Sequence, residues 1–416
     1  MKLVKLSLAA IVAAGALASV ASAASLEEAI KNVEVTGYAR YRYDSKSNTT
    51  GTTGLFGMGE EANTVGSHRF TSDIDFKAAL DDNFFGVIGF RYDSFDVSGE
   101  RFYAKTDVGT DDRGEDSFGQ TFNVRQFYLG YTAGNTTITA GRQVLGTFFT
   151  DDMVGTGIKV LNSDISGLTL VGMAFDNLQN DGDIGTGYLF LGSNNAEHVY
   201  DRNLYGVAAI GSYDPVSFQL WYSALDSVAQ LYAADVTLGA NIGDVDLSLQ
   251  AQAAGSSMWA DNADAFVAGW PKSLALDDTT FLAVELGAKA FGFDGSVGYV
   301  NLNTQGDGIS LISFEDQGGF ITAGEDLLDY TIFNYDANIY FVTAGYTFAN
   351  KVRVGADYVG ARAEQRGNYA DAYEAVARVD YQYSKKLNFK AWYSYIDRDN
   401  TLKDNKHLRF EARYNF

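Results

Sequence analysis

The 416-residue chain carries 53 acidic against 31 basic side chains, a net charge of −22 that repels a phosphate backbone and excludes nucleic acid as a partner. With no cysteine it has no disulfide framework, no thiol nucleophile and no thiolate zinc site. Hydrophobic residues reach 46% and prolines number only 2, so the chain is neither disordered nor a proline-rich multidomain array.

The first element in chain order is a leader. Lys2 and Lys5 precede an apolar run from Leu6 to Val20 that closes on Ala21-Ser22-Ala23, the small-x-small pattern cut during export. Cleavage after Ala23 divides the chain into a signal peptide, residues 1–23, and one mature domain, residues 24–416. Beyond the leader there is no run of about 18 apolar residues, so no helix is expected to cross a bilayer.

Period-two alternation begins at Val35. Val35, Gly37, Ala39, Tyr41 and Tyr43 share one face, while Tyr38, Arg40, Arg42 and Asp44 share the other, as in a strand with an apolar and a charged side. The pattern returns in Phe70, Ile74 and Phe76 against Arg69, Asp73, Asp75 and Lys77, and in Val352, Val354 and Tyr358 against Arg353 and Asp357. It continues in Tyr373, Val379 and Tyr381 against Glu374, Arg378 and Asp380, and in Leu387, Phe389 and Tyr393 against Lys390. The last segment sets Leu408, Phe410, Ala412, Tyr414 and Phe416 against Arg409, Glu411 and Arg413.

Short turn signals fall at Asp81-Asp82-Asn83, Ala133-Gly134-Asn135, Asp164 to Gly167, Asp214-Pro215, Gly243-Asp244, Phe293-Asp294-Gly295, Ala349-Asn350 and Ser384-Lys385-Lys386. Between them lie longer polar, glycine-rich segments at 45–66, 96–119, 146–155, 177–199, 256–280, 305–335, 363–371 and 399–406, with a tighter connection near Asp226. Eight turns, each flanked by two strands, plus the first and last strands make eighteen. The expected fold is all-β: a transmembrane, antiparallel, up-and-down barrel of 18 strands. In lipid every backbone polar group must pair within the protein, so the sheet closes and proline is pushed into turns and loops, where Pro215 and Pro271 fall. Tyr41, Tyr43, Tyr381, Tyr383, Tyr393 and Tyr395 are expected in interfacial girdles. The closing Phe416, on the outward parity, is similar to the assembly signal of bacterial outer-membrane barrels.

Together the blocks Arg40-Tyr41-Arg42-Tyr43-Asp44, Val124-Arg125-Gln126, Val154-Gly155-Thr156-Gly157, Asn203-Leu204-Tyr205-Gly206, Glu315-Asp316-Gln317-Gly318 and Val352-Arg353-Val354-Gly355-Ala356-Asp357 resemble the Campylobacter-type major outer-membrane porin family. The leader, Leu26-Glu27-Glu28-Ala29-Ile30 and Glu374-Ala375-Val376-Ala377-Arg378 add to the resemblance, which covers nearly the whole chain. It implies a homotrimeric porin in the outer membrane of a Gram-negative bacterium that passes small hydrophilic solutes and ions and favours cations.

Function then lies in charge at the narrowest point. The third long connection, Gly146 to Met153, looks like the loop that folds inward to constrict the lumen, and it carries Asp151 and Asp152. Arg40, Arg42, Arg69, Arg353, Arg378, Lys390, Arg409 and Arg413 sit on the inward parity of the first and last strands, so an acidic loop is expected to oppose a basic wall. Asp151, Asp183 and Glu315 lie in loops that can converge, and the resemblance implies a calcium ion held there by carboxylate oxygens.

Enzyme chemistry finds no motif. His68, His198 and His407 lie at or near loops and read as surface residues, and no GxxxxGK[ST] loop is present. The expected function is a diffusion channel without catalysis. The alternatives are a substrate-specific channel of the same architecture and, further off, a barrel enzyme or adhesin.

Overall fold

The computed structural model describes residues 33–47, 64–98, 123–180, 182–186, 189–191, 197–259, 266–267, 276–306, 308–312, 318–322, 324–328, 333–365, 367–399 and 404–416. The leader, Pro271 and Glu315 lie outside these residues. Eighteen strands form one sheet. They are β1 (Glu34–Ser47), β2 (Thr64–Ala79), β3 (Phe84–Ser98), β4 (Asn123–Ala133), β5 (Thr136–Val144), β6 (Val154–Asn162), β7 (Leu168–Leu178), β8 (Leu204–Tyr213) and β9 (Val216–Leu225). The second half comprises β10 (Ala229–Ile242), β11 (Val245–Met258), β12 (Thr279–Ala290), β13 (Phe293–Thr304), β14 (Asp336–Phe348), β15 (Val352–Gln365), β16 (Asn368–Gln382), β17 (Leu387–Arg398) and β18 (Asn405–Asn415).

Each strand pairs antiparallel with its sequence neighbours, and β18 returns to pair with β1, so the sheet closes as the alternation and turn spacing predict. Closure removes the sheet edges that lipid could not satisfy. At the seam the Phe416 N–H donates to the Gly37 carbonyl at 3.1 Å. Gly37 has φ +152°, and a Cβ there would lie 2.0 Å from the Asp73 carbonyl oxygen, so only glycine lets β1 approach β2 this closely. Three short segments, Leu189–Leu191, Glu197–His198 and Phe266–Val267, pair separately among the loops. Among the described residues no helix is long and apolar enough to cross a membrane.

Seven of the eight short turns lie where the turn residues place them, whereas Phe293-Asp294-Gly295 already belongs to β13 and the turn before it falls at Phe291-Gly292, both in the left-handed region. One long connection is shorter than expected: over 363–371 β15 runs on to Gln365 and β16 begins at Asn368, with Gly367 at φ +78°. Ala361 faces Ala372 and Ala363 faces Ala370, all four buried, so the hairpin continues through residues whose polar partners made the segment read as a loop.

Outward positions carry the apolar surface that lipid covers. Leu220 and Tyr222 flank the buried Trp221, and Tyr340 and Val342 flank the buried Phe341. Aromatic rings gather in two bands. Phe84 with Tyr131 and Phe293 with Tyr346 lie near the short turns, while Tyr340, Tyr358, Tyr373 and Tyr395 run in ring contact near the opposite rim. Such rings, apolar in body and polar at the tip, suit the two membrane interfaces.

The hydrophobic core lies inside the barrel. Inward Phe175, Trp221, Leu231, Phe281, Leu302 and Phe341 pack with Leu145, Phe148 and Met153 from one connection and Phe320, Leu327 and Phe333 from another. Full burial of a Phe, Leu or Met side chain contributes about 1.5–3 kcal/mol, so the core holds both connections within the lumen.

Candidate functional site at the constriction

From β15 round to β4 many inward positions are charged, and the register sets opposite signs side by side. Arg353 faces Asp380, Asp380 faces Lys390, Lys390 faces Glu411, and Glu411 faces Arg42. Directly opposed unlike charges stabilise a ladder, and like charges weaken it. Arg42 donates to Glu411 through Nη2 at 3.0 Å and Nε at 3.2 Å. Arg69 grips Asp93 with two nitrogens at 2.9 and 2.5 Å, and Arg353 grips Asp294 at 3.0 and 2.6 Å. Arg409 Nε donates to Asp44 at 2.5 Å, and Arg378 reaches Glu325 at 2.7 Å as well as Asp357. The structure therefore brings the predicted wall together but pairs most of it with carboxylates. Among the described residues Arg40, Arg413 and Lys390 are the exceptions: Arg40 comes no nearer than 4.0 Å to Glu411.

The connection after β5 turns inward as the sequence suggests. Thr147 and Thr150 hydroxyls bond at 2.9 Å, tightening the turn that buries Phe148 and Phe149. Lys159 donates from β6 to the carbonyls of Val144 at 2.9 Å and Leu145 at 3.4 Å, fixing the loop's first residues. Asp152 then meets two arginines, Arg91 at a short contact and Arg125 Nη2 at 2.9 Å, and Asp73 bonds both of those arginines at 2.7 and 2.9 Å. Burial alone would raise the Asp152 pKa, but the Arg125 and Arg91 guanidiniums overcome it and hold the carboxyl below its usual range.

Sequence reasoning names Asp152 but not Arg91 or Arg125. A β-bulge explains why. The β3–β4 register shifts between Gly89 and Phe90, so Gly89 faces Gln126 and Phe90 faces Val124, leaving Arg125 without an opposite residue. Val124 and Phe127 are both exposed on the outside, and the two residues between them, Arg125 and Gln126, both reach acids on the inner wall. Strict alternation allows only one of them inside, whereas a bulge supplies both.

A second connection, between β13 and β14, also enters the lumen, which sequence reasoning does not anticipate. Its Gly319 N–H donates to the Phe148 carbonyl at 2.9 Å, and Phe320 packs edge-on against Phe148 and Phe281 with centroids 4.8 Å away from each. Gln252 on β11 accepts from Ile321 N–H at 2.7 Å and donates to the Gly319 carbonyl at 2.9 Å. Farther along, the fully buried Glu374 carboxylate on β16 accepts the N–H groups of Glu325, Asp326 and Leu327 at 3.0, 3.0 and 3.1 Å, with the Ser394 hydroxyl at 2.6 Å.

His407, expected on the surface, is buried inside the wall. Its Nδ1 lies 2.8 Å from Asp326 and its Nε2 2.8 Å from Asp44, with Trp392 edge-on at 4.4 Å. Burial opposes ionisation of Asp326, but the bond from His407 prevails and holds its pKa down. Burial pushes the neighbouring Glu325 up, with Arg378 opposing.

Of the proposed metal ligands, Asp151 and Asp183 meet: the Asp151 backbone N–H donates to Asp183 Oδ2 at 2.9 Å, and Asp183 is buried. Among the described residues no group of three His, Asp or Glu side chains is placed to hold a metal.

Solved structures of similar fold include Acinetobacter baumannii OccAB3, with a TM-score of 0.68 and 12% identity over 93% of this chain and 99% of that one. Acinetobacter baumannii OccAB4 matches with a TM-score of 0.67 and 9% identity over 92% and 98%. Pseudomonas aeruginosa OccK8 (OprE) matches with a TM-score of 0.66 and 12% identity over 93% and 98%. At such identities the likeness is one of fold, and no curated protein sequence matches the chain. The sequence itself matches the family model of the Campylobacter major outer membrane protein over residues 1–416, and the chain belongs to that family, a multi-pass outer-membrane β-barrel channel for small solutes.

Proposed function

We propose that the pore is a general diffusion channel that favours cations and performs no covalent chemistry on what it passes. One observation supports this most: most arginines of the inner arc are held by carboxylates, so the wall offers little free positive charge within a chain of net charge −22. A surplus of negative charge concentrates cations in a narrow aqueous path. In a KCl gradient across a planar bilayer the reversal potential should lie on the potassium side. The preference should weaken at high salt, as the Debye length drops from about 10 Å at 0.1 M to about 3 Å at 1 M. A reversal on the chloride side overturns the reading. Conductance that saturates with one solute class favours the substrate-specific alternative.

The same reading includes an export leader over residues 1–23, a homotrimer, and assembly directed by Phe416. Deleting Phe416 should sharply lower the yield of heat-modifiable barrel, and cross-linking that stops at the monomer removes the trimer.

Calcium is the remaining element. Asp151, Asp183 and Glu315 would supply only oxygens, the donors a hard cation takes, and the ion would neutralise carboxylates on three connections. Support comes from the contact between Asp151 and Asp183 and from the docking of Gly319, near Glu315 in sequence, onto Phe148. Calcium at about 100 times its Kd would add roughly 2.7 kcal/mol of stability. Chelation should therefore lower the melting temperature, and Glu315→Gln should abolish that response. Full replacement by magnesium or KCl refutes a specific site.

A further inference from the structure

The seam between β1 and β18 contains a charge arrangement that the rest of the wall avoids. Arg40 and Arg413 stand directly opposite each other, and their outer neighbours in the same row are neutral: Asn388 faces Arg413 and Thr71 faces Arg40. Two like charges facing across a ladder destabilise it. Elsewhere such a pair is relieved. Arg42 and Arg69 also face each other, but Glu411 holds one and Asp93 the other.

The relief available to Arg40 and Arg413 is weak. Glu411 is committed to Arg42 at 3.0 Å and comes no nearer than 4.0 Å to Arg40. Arg40 donates one long bond to Thr71 at 3.4 Å, and its buried Nε has no partner. Arg413 spends its Nε on Asn415 at 3.0 Å and lays its guanidinium 3.9 Å over the Tyr38 ring, which positions its fork without neutralising it. Its terminal nitrogens make no hydrogen bond among the described residues.

Arg413 lines an open recess of about 270 Å³ on the inner wall, together with Asn388, Lys390, Glu411 and Asn415, and Arg40 stands across the ladder from it, just outside that lining. Lys390 adds a third cation with no close carboxylate bond of its own among the described residues, although it faces Asp380 and Glu411 in register. The recess adjoins the constriction: Tyr38 faces Asp73, and Asp73 bonds both arginines that hold Asp152.

We propose that this recess is a docking point for the oxyanion head of a passing solute, a carboxylate or a phosphate. Arginine's planar fork matches either group, and the ammonium of Lys390 adds a point charge beside it. A bound oxyanion supplies the carboxylate that the Arg40–Arg413 row lacks. Docking at one local surplus is compatible with a path that favours cations overall. The inference rests on the channel reading, and the test separates the two.

Single-channel current through the full-length protein should be recorded in KCl at fixed ionic strength with added inorganic phosphate, acetate or glycerol. Phosphate and acetate should interrupt the current in a saturable, millimolar range, whereas glycerol should not. A response to only one of the anions assigns the recess to that class. Arg413→Gln combined with Arg40→Gln should raise the half-blocking concentration about tenfold or more, the scale of one lost charge-assisted bond pair. Arg413→Lys should fall between that variant and wild type, because it keeps the charge and loses the fork. Assembly is followed by heat-modifiability, and if the double variant fails to assemble, Lys390→Gln gives the same readout. Saturable block that no variant weakens, or normal KCl current without saturable block, overturns the docking site. Absence of KCl current in the wild type instead overturns the channel reading.

Discussion

Inward positions from β7 to β14 include Phe175, Trp221, Leu231, Phe281, Leu302 and Phe341, whereas from β15 round to β4 they include Arg378, Arg409, Glu411, Arg42, Asp73 and Arg91. The two arcs share one strand geometry and differ in what completes them. Apolar inward side chains are stable only when something covers them, and the connection at 145–153 and residues such as Phe320, Leu327 and Phe333 of the connection between β13 and β14 provide the cover, meeting where Phe320 packs on Phe148. Most charged inward side chains complete one another across the ladder, and the loops touch this arc at a few points such as Glu374 and His407. The two loops reach the charged wall at Asp152, held by Arg125, and at Asp326, held by His407.

The sharpest way to break this division is to remove the contact shared by both loops. Phe148→Ala deletes a fully buried ring between Phe149 and Phe320 and should cost about 3–5 kcal/mol. With their common anchor gone both connections should loosen, so the heat-modification temperature should drop and single-channel conductance should rise. A normal conductance would show that the loops are held independently.

A smaller effect should follow from Glu374→Gln. The amide keeps the shape but replaces a carboxylate that accepts three backbone N–H groups, and weakening these bonds should cost about 2 kcal/mol. Amide hydrogen exchange should accelerate at 325–327 while the segment around Phe148 stays protected. Equal acceleration at both places would mean that the two loops open as one unit.

How much of this was legible in the sequence follows from the range of the interactions. Strand number and face assignment depend on neighbours in the chain, so alternation and turn residues reveal the closed barrel. The inward turn at 146–153 was legible through the family resemblance and its adjacent acids. The second inward connection was not, because its anchors Glu374 and His407 lie about fifty and eighty residues away and look like ordinary lumen charges. One signal was available: Ala372 and Val376 share the inward face with Glu374, and apolar side chains on the water side of a strand call for a cover. The partners of Asp152 were hidden for a different reason, since the bulge that brings Arg125 and Gln126 to the same side breaks the alternation on which the face assignment depends.

The smallest expected effect tests whether the Asp152 clamp narrows the path through charge. Its carboxylate is partly exposed, so the clamp is worth about 1 kcal/mol or less, the scale of a solvent-screened ion pair. The two guanidiniums hold its pKa below the unfolded value of about 3.9, so the stabilisation is complete above that pH and is lost as the pH falls through the lower, folded value. Current should therefore be steady at pH 7 and at pH 5, and flicker should begin only below about pH 4, when the loop end is released from Arg91 and Arg125. Asp152→Asn should flicker at every pH and show no acid transition of this kind. The same substitution leaves Asp73 as the one carboxylate shared by Arg91 and Arg125 among the described residues, a gain of one net positive charge where the loop meets the wall, so the reversal potential in a KCl gradient should move toward the chloride side. A variant with steady current and an unchanged potential would place the constriction on the Asp326 side, where the second loop meets His407.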